Sequence, residues 1–306
     1  MLYFRGPLIL SPRDPVIGMK RIRIQHRTTY TYPEPVSLLP HKLMIRPRSG
    51  YDIKLESTAL AITPAHTIKW QRDIYGNSVA TVTFSEPTTL LDITSDVELT
   101  NFETEPLDFL VDEKAVMFPF YFEPSERVDL IPFQTLSFPD SSPMVRDWLQ
   151  TFWQPGQTIE TYVLLDRINK EIVQNFTYVM REEPGVQRPA ETLTTRQGSC
   201  RDFATLFIEA CRYFGLPARF VSGYLHCPET VQGHGSTHAW AEVYLPGAGW
   251  KGFDNTSGIV VGQDHIAVAV TRHPEDAPPI AGSFTGTLSS PPLMNLSVIV
   301  STVPTI

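Results

Sequence analysis

The stretch RQGSCRDFATLFIEACRYFGLP, residues 196–217, decides what this chain can fold into. Ser199 with Asp202 three positions later predicts the start of a helix, and Gly215 predicts its end. The stretch therefore predicts one well-capped helix with Cys200 at or next to its first turn. The apolar residues recur at helical spacing and form one stripe, which predicts packing on a core; they are Phe203, Leu206, Phe207, Ala210, Cys211 and Phe214.

The two cysteines of this helix predict different roles. Cys211 lies on the apolar stripe, so we expect it in the core. Cys200 lies one turn before the stripe and off its line, where exposed backbone N–H groups and the helix dipole favour a thiolate. A thiolate can attack a carboxamide, and the same N–H groups can hold the developing oxyanion. Gly198 would let a substrate backbone approach closely. The alternative, a buried and inert Cys200, fits its position less well, so Cys200 is the candidate nucleophile.

Further along, His238 and Asp254 belong to two strands of a predicted hairpin. His238 opens one strand and Asp254 ends the next, with the turn 246–249 between them. Pairing Leu245 with Trp250 would place the two side chains on opposite faces, so we predict a one-residue bulge or a five-residue loop there. With that irregularity, Asp254 can orient the imidazole of His238, which can share the proton of the nucleophile. The three residue types in this order predict a thiol triad.

Residues 19–105 predict an antiparallel β-sandwich. Apolar residues alternate along 22–32 and 53–62. The runs 68–74 and 79–84 flank a Tyr-Gly-Asn-Ser turn that is typical of a hairpin. Several short strands at this spacing favour a small sandwich.

The rest of the chain divides by composition. Residues 1–18 predict an irregular leader, and 106–142 predict a Pro- and aromatic-rich connector packed on the following domain. From 143 the apolar spacing becomes helical and then strand-like, so we expect residues 143–306 to form a catalytic core with C-terminal strands. Arg219 and Glu242 fall on neighbouring strands of that core and are expected to form a salt bridge. The predicted fold class is α+β, with the β-sandwich first and the core second.

Composition and spacing exclude several classes of function. A net charge of −8 disfavours a nucleic-acid partner. No apolar run reaches the roughly 18 residues of a membrane span, and no nucleotide-binding motif is present. Three cysteines cannot close a disulfide framework, which favours the cytoplasm. His226, Cys227, His234 and His238 match no zinc-binding spacing, so we predict neither a metal nor a cofactor. We expect a peptide or protein substrate, and the sequence leaves the oligomeric state open.

Four segments of the chain resemble the bacterial transglutaminase-like family, whose members are described as cysteine proteases. Residues 265–286 and the β-rich residues 19–100 are similar to the C-terminal and N-terminal portions of that family, so the resemblance covers nearly the whole chain. The four segments occur in order with tight spacing: RQGSCRDFA (196–204), GLPARFVSGY (215–224), HAWAEVYLP (238–246) and GWKGFD (249–254).

The resemblance implies a papain-like, transglutaminase-like core whose Cys-His-Asp triad falls on Cys200, His238 and Asp254. Family members usually continue the Asp with Pro-Thr, whereas Asn-Thr-Ser follows here at 255–257, which is expected to alter the loop. No motif fixes a second oxyanion donor. Tyr178 is a candidate, and the alternative is that its ring only packs.

The residues and the resemblance together predict an acyl-transfer enzyme that cleaves an amide through a thioester. We expect water to release the acyl group, as in a peptidase or amidase, because nothing in the sequence marks an amine-binding site. The superfamily also contains cross-linking enzymes and inactive scaffolds. Two alternatives therefore stay open: a true transglutaminase or peptide ligase that uses an amine acceptor, and a non-catalytic binding scaffold.

Overall fold

The computed structural model of the 306-residue chain describes residues 18–181, 183–227 and 236–304. The predicted leader, except Gly18, and His234 of the zinc hypothesis lie outside the described residues. Short 3₁₀ turns lie at Pro139–Ser141 and Pro274–Asp276. The helices are α1 (Glu113–Val116), α2 (Pro124–Gln134), α3 (Ser142–Leu149), α4 (Thr161–Asn175), α5 (Pro189–Thr195) and α6 (Cys200–Tyr213). The strands are β1 (Lys20–Leu38), β2 (His41–Leu43), β3 (Ile53–Thr63), β4 (His66–Arg72), β5 (Ser78–Phe84), β6 (Thr88–Asn101), β7 (Met117–Phe118), β8 (Ile159–Glu160), β9 (Thr177–Tyr178), β10 (Gln197–Gly198), β11 (Ala218–Leu225), β12 (Ser236–Leu245), β13 (Gly249–Asp254), β14 (Ile259–Val260), β15 (His265–Thr271), β16 (Ile280–Ala281), β17 (Phe284–Thr285) and β18 (Leu293–Thr302).

Two antiparallel sheets form the N-terminal β-sandwich that the alternating pattern predicts. One sheet has β1 between β6 and β18, with β17 also on β1 and β3 beyond β6. The other has the order β16-β2-β5-β4. Side chains from both sheets meet in one apolar core, since alternate residues of each strand point to the same face; it includes Tyr32, Leu43, Val82, Leu91 and Ile93.

The C-terminal strands differ from the sequence-based division of the chain. We had grouped them with the core of residues 143–306, but β16, β17 and β18 pair with strands of the N-terminal sandwich. Alternation in a sequence identifies a strand but not its partner, which is why this pairing was not foreseen. The boundaries at 105 and 143 remain predictions.

The core consists of an antiparallel sheet with α6 on one face. The strand order is β14-β13-β12-β11-β15, and α6 packs on the central strand β12. Apolar side chains of α6 contact Ala239, Ala241 and Val243, so Cys211 is buried in the core, as predicted. The opposite face of this sheet lies against the N-terminal sandwich, where Val221, Trp240 and Val270 pack with Tyr75 of the β4–β5 turn. The sheet is therefore covered on both sides.

Only some aromatic side chains of the connector, residues 106–142, pack on the core. Phe118 is buried, with its ring 5.2 Å from that of Trp153 and 5.4 Å from that of Phe214. Tyr121, by contrast, is 89% exposed. The connector also contains α2, which the sequence analysis missed because the helix has only a weak apolar face and an internal Pro132.

Candidate active site

Cys200 is the first residue of α6, and a buried carboxylate fixes the chain around it. Asp202 Oδ2 accepts hydrogen bonds from the backbone N–H and the hydroxyl of Ser199, at 2.8 and 2.7 Å. Its Oδ1 accepts from Arg181 Nη1 and from the backbone N–H of Gln187, both at 2.8 Å. Asp202 has no exposed surface. The predicted Ser–Asp cap is therefore present, and Asp202 also ties Arg181 and Gln187 to the start of the helix.

The β12–β13 hairpin brings His238 and Asp254 to the same face of the sheet. Leu245 pairs with Gly249 and Ala241 with Phe253, so the connection is shorter than we assumed and Trp250 pairs with Tyr244. The pairing of Leu245 with Trp250, which would have put the two side chains on opposite faces, is absent. The predicted one-residue bulge or five-residue loop was wrong, since this ladder contains neither. A three-residue connection followed by Gly249 at a φ of 73° restores the parity instead.

His238 faces Asp254 on one side and Cys200 on the other. His238 Nε2 lies 3.1 Å from Asp254 Oδ2, at an angle that favours ion pairing over a hydrogen bond. Burial lowers the pKa of His238, but its contacts with Asp254 and Cys200, and their negative charges, outweigh burial and raise that pKa to about 10. The imidazole of His238 therefore lies between the side chain of Cys200 and a buried carboxylate.

A second imidazole, that of His265, also contacts Asp254. His265 Nε2 makes a hydrogen bond of 3.1 Å to Asp254 Oδ2, and both side chains are buried. Burial raises the pKa of Asp254, but its contacts with His238 and His265 hold that pKa well below its usual range. The sequence analysis gave His265 no role, since this contact depends on how β15 pairs with β11.

The loop after Asp254 replaces the usual Pro-Thr with residues that support the carboxylate. Thr256 N–H donates to Asp254 Oδ1 at 2.8 Å, and the Ser257 hydroxyl donates to Oδ2 at 2.7 Å. Asn255 is buried and its Nδ2 donates to Asn169 Oδ1 of α4 at 2.8 Å. The different sequence thus anchors the loop to a helix of the core.

Tyr178 reaches the nucleophile from a neighbouring strand. β9 pairs in parallel with β10, which places Tyr178 opposite Gly198. Burial, the negative charge of Cys200 and a hydrogen bond to the Cys200 side chain together raise the pKa of Tyr178 to about 12. The ring also packs edge-on against Phe203. A hydroxyl that stays protonated beside the sulfur is a suitable oxyanion donor.

An open cleft borders this group of residues. It has a volume of about 540 Å³ and is lined by Gly198, Gln197, Arg181 and the exposed apolar residues Val179 and Met180. Glu183 and Gln187 complete the lining, so the cleft presents polar, charged and apolar side chains next to Gly198, two residues before Cys200.

Two further sequence predictions concern residues around the site. Arg219 and Glu242 form the expected salt bridge, with Nε 2.6 Å from Oε2. His226 is not near His238 in a metal-binding arrangement; its Nδ1 lies 2.8 Å from Asp264 Oδ1.

His238, Asp254 and His265 have the residue types of a metal site, and one nitrogen or oxygen from each lies within 4.8 Å of the others. Both Nε2 atoms lie 3.1 Å from one oxygen, Asp254 Oδ2, and the Nε2 of His265 makes a hydrogen bond to it. We interpret the cluster as a hydrogen-bonded network.

Comparisons with known proteins agree with this architecture. Residues 22–100 match the model of the bacterial transglutaminase-like N-terminal region, and residues 156–255 match that of the transglutaminase-like superfamily. The second match contains Cys200, His238 and Asp254. Among the described residues, no helix is both long and apolar enough to cross a membrane.

Relatives extend the similarity over most of the chain. An uncharacterized protein of Mycobacterium tuberculosis is 30% identical over 287 residues, covering 88% of both proteins. An uncharacterized protein of Mycobacterium leprae is 26% identical, covering 88% of this chain and 94% of that protein. A crystal structure from Cytophaga hutchinsonii, described as a "putative cysteine protease", is similar with a TM-score of 0.72 at 21% identity, covering 94% of this chain and 92% of that one. That similarity concerns the fold. With both family regions in order and a relative matching along nearly its full length, the chain belongs to the bacterial transglutaminase-like family.

Proposed function

We propose that this protein is a cysteine-nucleophile acyl-transfer enzyme in which Cys200 attacks an amide, with His238 and Asp254 completing the triad. One observation carries the proposal: Cys200 stands at the first position of α6 and contacts an imidazole whose other side lies 3.1 Å from a buried carboxylate. Membership of the transglutaminase-like superfamily supports a cysteine-based enzyme in general.

The proposed reaction has two halves. The Cys200 thiolate adds to the carbonyl carbon, and the oxyanion accepts hydrogen bonds from backbone N–H groups at the start of α6 and from the Tyr178 hydroxyl. The C–N bond then breaks, and the leaving amine takes a proton from the imidazolium of His238. Water next adds to the thioester while His238 takes its proton. Loss of the acid restores the thiolate and the imidazolium, with Asp254 ionised throughout.

We propose water rather than an amine as the acceptor, and hence a peptidase or amidase acting on a peptide or protein. The cleft beside Gly198 supports an extended segment as substrate, because it combines backbone with apolar surface. A true transglutaminase or ligase would instead join a primary amine to a glutamine-containing acceptor. Mass spectrometry of such an acceptor with a biotinylated amine in H₂¹⁸O separates the two: ¹⁸O uptake supports hydrolysis, and biotin uptake supports transamidation.

The first test is selective alkylation of Cys200. We expect iodoacetamide, applied between pH 4 and 9 and mapped by mass spectrometry, to label Cys200 at least tenfold faster than the other thiols near pH 6. The chain supplies its own controls, since burial raises the pKa of Cys211, and burial with the charges of Asp264 and Asp254 raises that of Cys227. If Cys200 labels no faster than Cys227, the triad is not assembled and the binding-scaffold alternative takes precedence.

We also propose a cytoplasmic location. The described cysteines Cys200, Cys211 and Cys227 are all free thiols, which is consistent with a reducing compartment. Fractionation of cells that express the full-length protein would test this, and recovery outside the cytoplasm would contradict it.

A further inference from the structure

His265 stands out as a buried histidine that the proposed reaction does not use. Its Nε2 makes a well-aligned hydrogen bond of 3.1 Å to Asp254 Oδ2. His238 Nε2 lies at the same distance from the same oxygen but outside hydrogen-bond alignment. The imidazole that holds Asp254 by geometry is therefore that of His265, and not that of the triad.

The ring proton of His265 can be assigned from its surroundings. The Asp254 carboxylate accepts, so Nε2 carries a proton and donates it. Nδ1 is buried and has no hydrogen-bond partner among the described residues. A proton on Nδ1 would therefore be buried without an acceptor, which is unfavourable. The Nε2 of His265 is thus assigned as the donor to Asp254.

Packing fixes the orientation of that donor. The Trp240 ring lies edge-on to His265, with centroids 5.3 Å apart. Gly223 of β11 makes room for Trp240, because a Cβ there would lie 2.7 Å from the indole ring and 2.3 Å from the backbone oxygen of Ile266. The ring of His265 therefore has little freedom to turn away from Asp254.

Other ionisable groups surround this network without replacing the contact. Lys20, His226 and Asp264 form a cluster of their own beside it. Cys200 contacts His238 on the side away from Asp254, and the negative charge of Asp254 contributes to the raised pKa of Cys227. A cavity of about 100 Å³ on the side facing the sandwich is lined by His265 together with Asp52, Glu103, Glu242, Lys251 and Tyr51.

We propose that His265 is a positioning residue, whose Nε2–H holds the Asp254 carboxylate in the orientation that pairs with His238 and Cys200. This inference rests on the proposed function. The proposal adds a fourth side chain to the triad. His265 orients Asp254, Asp254 orients His238, and His238 contacts the nucleophile Cys200.

The test compares two variants of similar shape in the full chain. His265→Gln keeps an N–H donor near the position of Nε2, whereas His265→Met has a similar length and no donor. The readout is the rate of Cys200 alkylation by iodoacetamide between pH 4 and 9. We expect His265→Met to lower that rate about tenfold near pH 6, roughly what one hydrogen bond to a charged group supplies.

The pH profile separates positioning from general stability. Without the donor, Asp254 is held less firmly against His238 and stabilises the protonated imidazole less, so the thiolate beside that imidazole is less stable. We therefore expect the acid limb of the His265→Met alkylation profile to move upward by about one unit. We expect His265→Gln to have an alkylation rate and an acid limb close to those of the unaltered protein. The control is His26→Gln, which removes a buried histidine whose ring bonds Tyr224 and Thr28 instead of Asp254, and it should leave the rate and the acid limb unchanged.

The outcomes are distinguishable. If Cys200 is not selectively alkylated in the unaltered protein, the proposed function itself fails. If it is, and His265→Met matches the unaltered protein in rate and acid limb, only the role of His265 is overturned. Should the variants not fold, ¹⁵N-histidine NMR of the unaltered protein decides: a proton on Nε2 with a bare Nδ1 supports the inference, and the opposite tautomer refutes it.

Discussion

At the scale of single residues, Tyr178 has only a weak signal in the sequence, and its contact with Cys200 in the structure is what suggests a role for it. Tyr178 lies on a two-residue strand with no motif around it, yet its pairing with β10 places the hydroxyl against the nucleophile. Cys200 could be chosen from the sequence because helix capping and the apolar stripe fix its position locally. His265 could not, since its contact with Asp254 requires the β11–β15 ladder.

Tyr178→Phe tests the hydroxyl separately from the ring. We expect about a hundredfold lower rate of amide cleavage, because one oxyanion donor is lost while the ring still packs on Phe203. Alkylation of Cys200 by iodoacetamide forms no oxyanion, so its rate should change less than threefold. Measuring both rates on the same preparation checks this. Equal losses in the two reactions would mean that Tyr178 acts on the sulfur and not on the oxyanion.

At the scale of elements, local patterns predicted most strands and helices of the core. Helix α6 begins at Cys200 and ends at Tyr213, close to the predicted stop at Gly215, because periodicity and caps are encoded nearby in the sequence. The bulge or five-residue loop predicted between β12 and β13 was wrong, since one residue of loop length decides the register and the glycines of the turn permit several lengths. Helix α2 was missed for want of a clear apolar stripe.

Gly223 offers a test of how closely β11, β12 and β15 pack. We expect Gly223→Ala to lower the free energy of unfolding by about 1–3 kcal/mol, since its Cβ would overlap Trp240 and the backbone of Ile266. Urea unfolding followed by circular dichroism measures this. Ser222→Ala, on the same strand, is the matched control and should remain within about 0.5 kcal/mol of the unaltered protein. Equal stability of the two variants would contradict the close contact.

At the scale of the whole molecule, the buried histidines make stability depend on pH in opposite directions. The pKa of His238 is raised to about 10, so its protonated form stabilises the folded state. That contribution is fully present below about pH 6.5 and is lost as the pH rises through about 10. Burial lowers the pKa of His26 to about 4, so the contribution of neutral His26 is present above about pH 6.5 and is lost as the pH falls through about 4.

Unfolding of three proteins across pH 4 to 10 checks these signs. We expect the stability difference between the unaltered protein and His238→Gln to shrink by a few kcal/mol between pH 6.5 and 10. The corresponding difference for His26→Gln should instead change between pH 6.5 and 4. A His238→Gln difference that stays constant up to pH 10 would show that the imidazolium is not held by Asp254 and Cys200.

The whole-molecule arrangement was also the hardest to predict. Strand β18 pairs with one edge of β1. This pairing depends on contacts between residues far apart in the chain, for which the sequence carries no local signal. The sandwich itself was foreseen, because its alternation is local.

The pairing of β18 with β1 has a consequence for synthesis on the ribosome. β1 and β6 can pair early, but the other edge of β1 stays open until Leu293–Thr302 have emerged, long after the segment that carries Cys200. An open edge of that length can pair with another nascent chain, so the protein should depend on chaperones during translation more than its finished fold suggests.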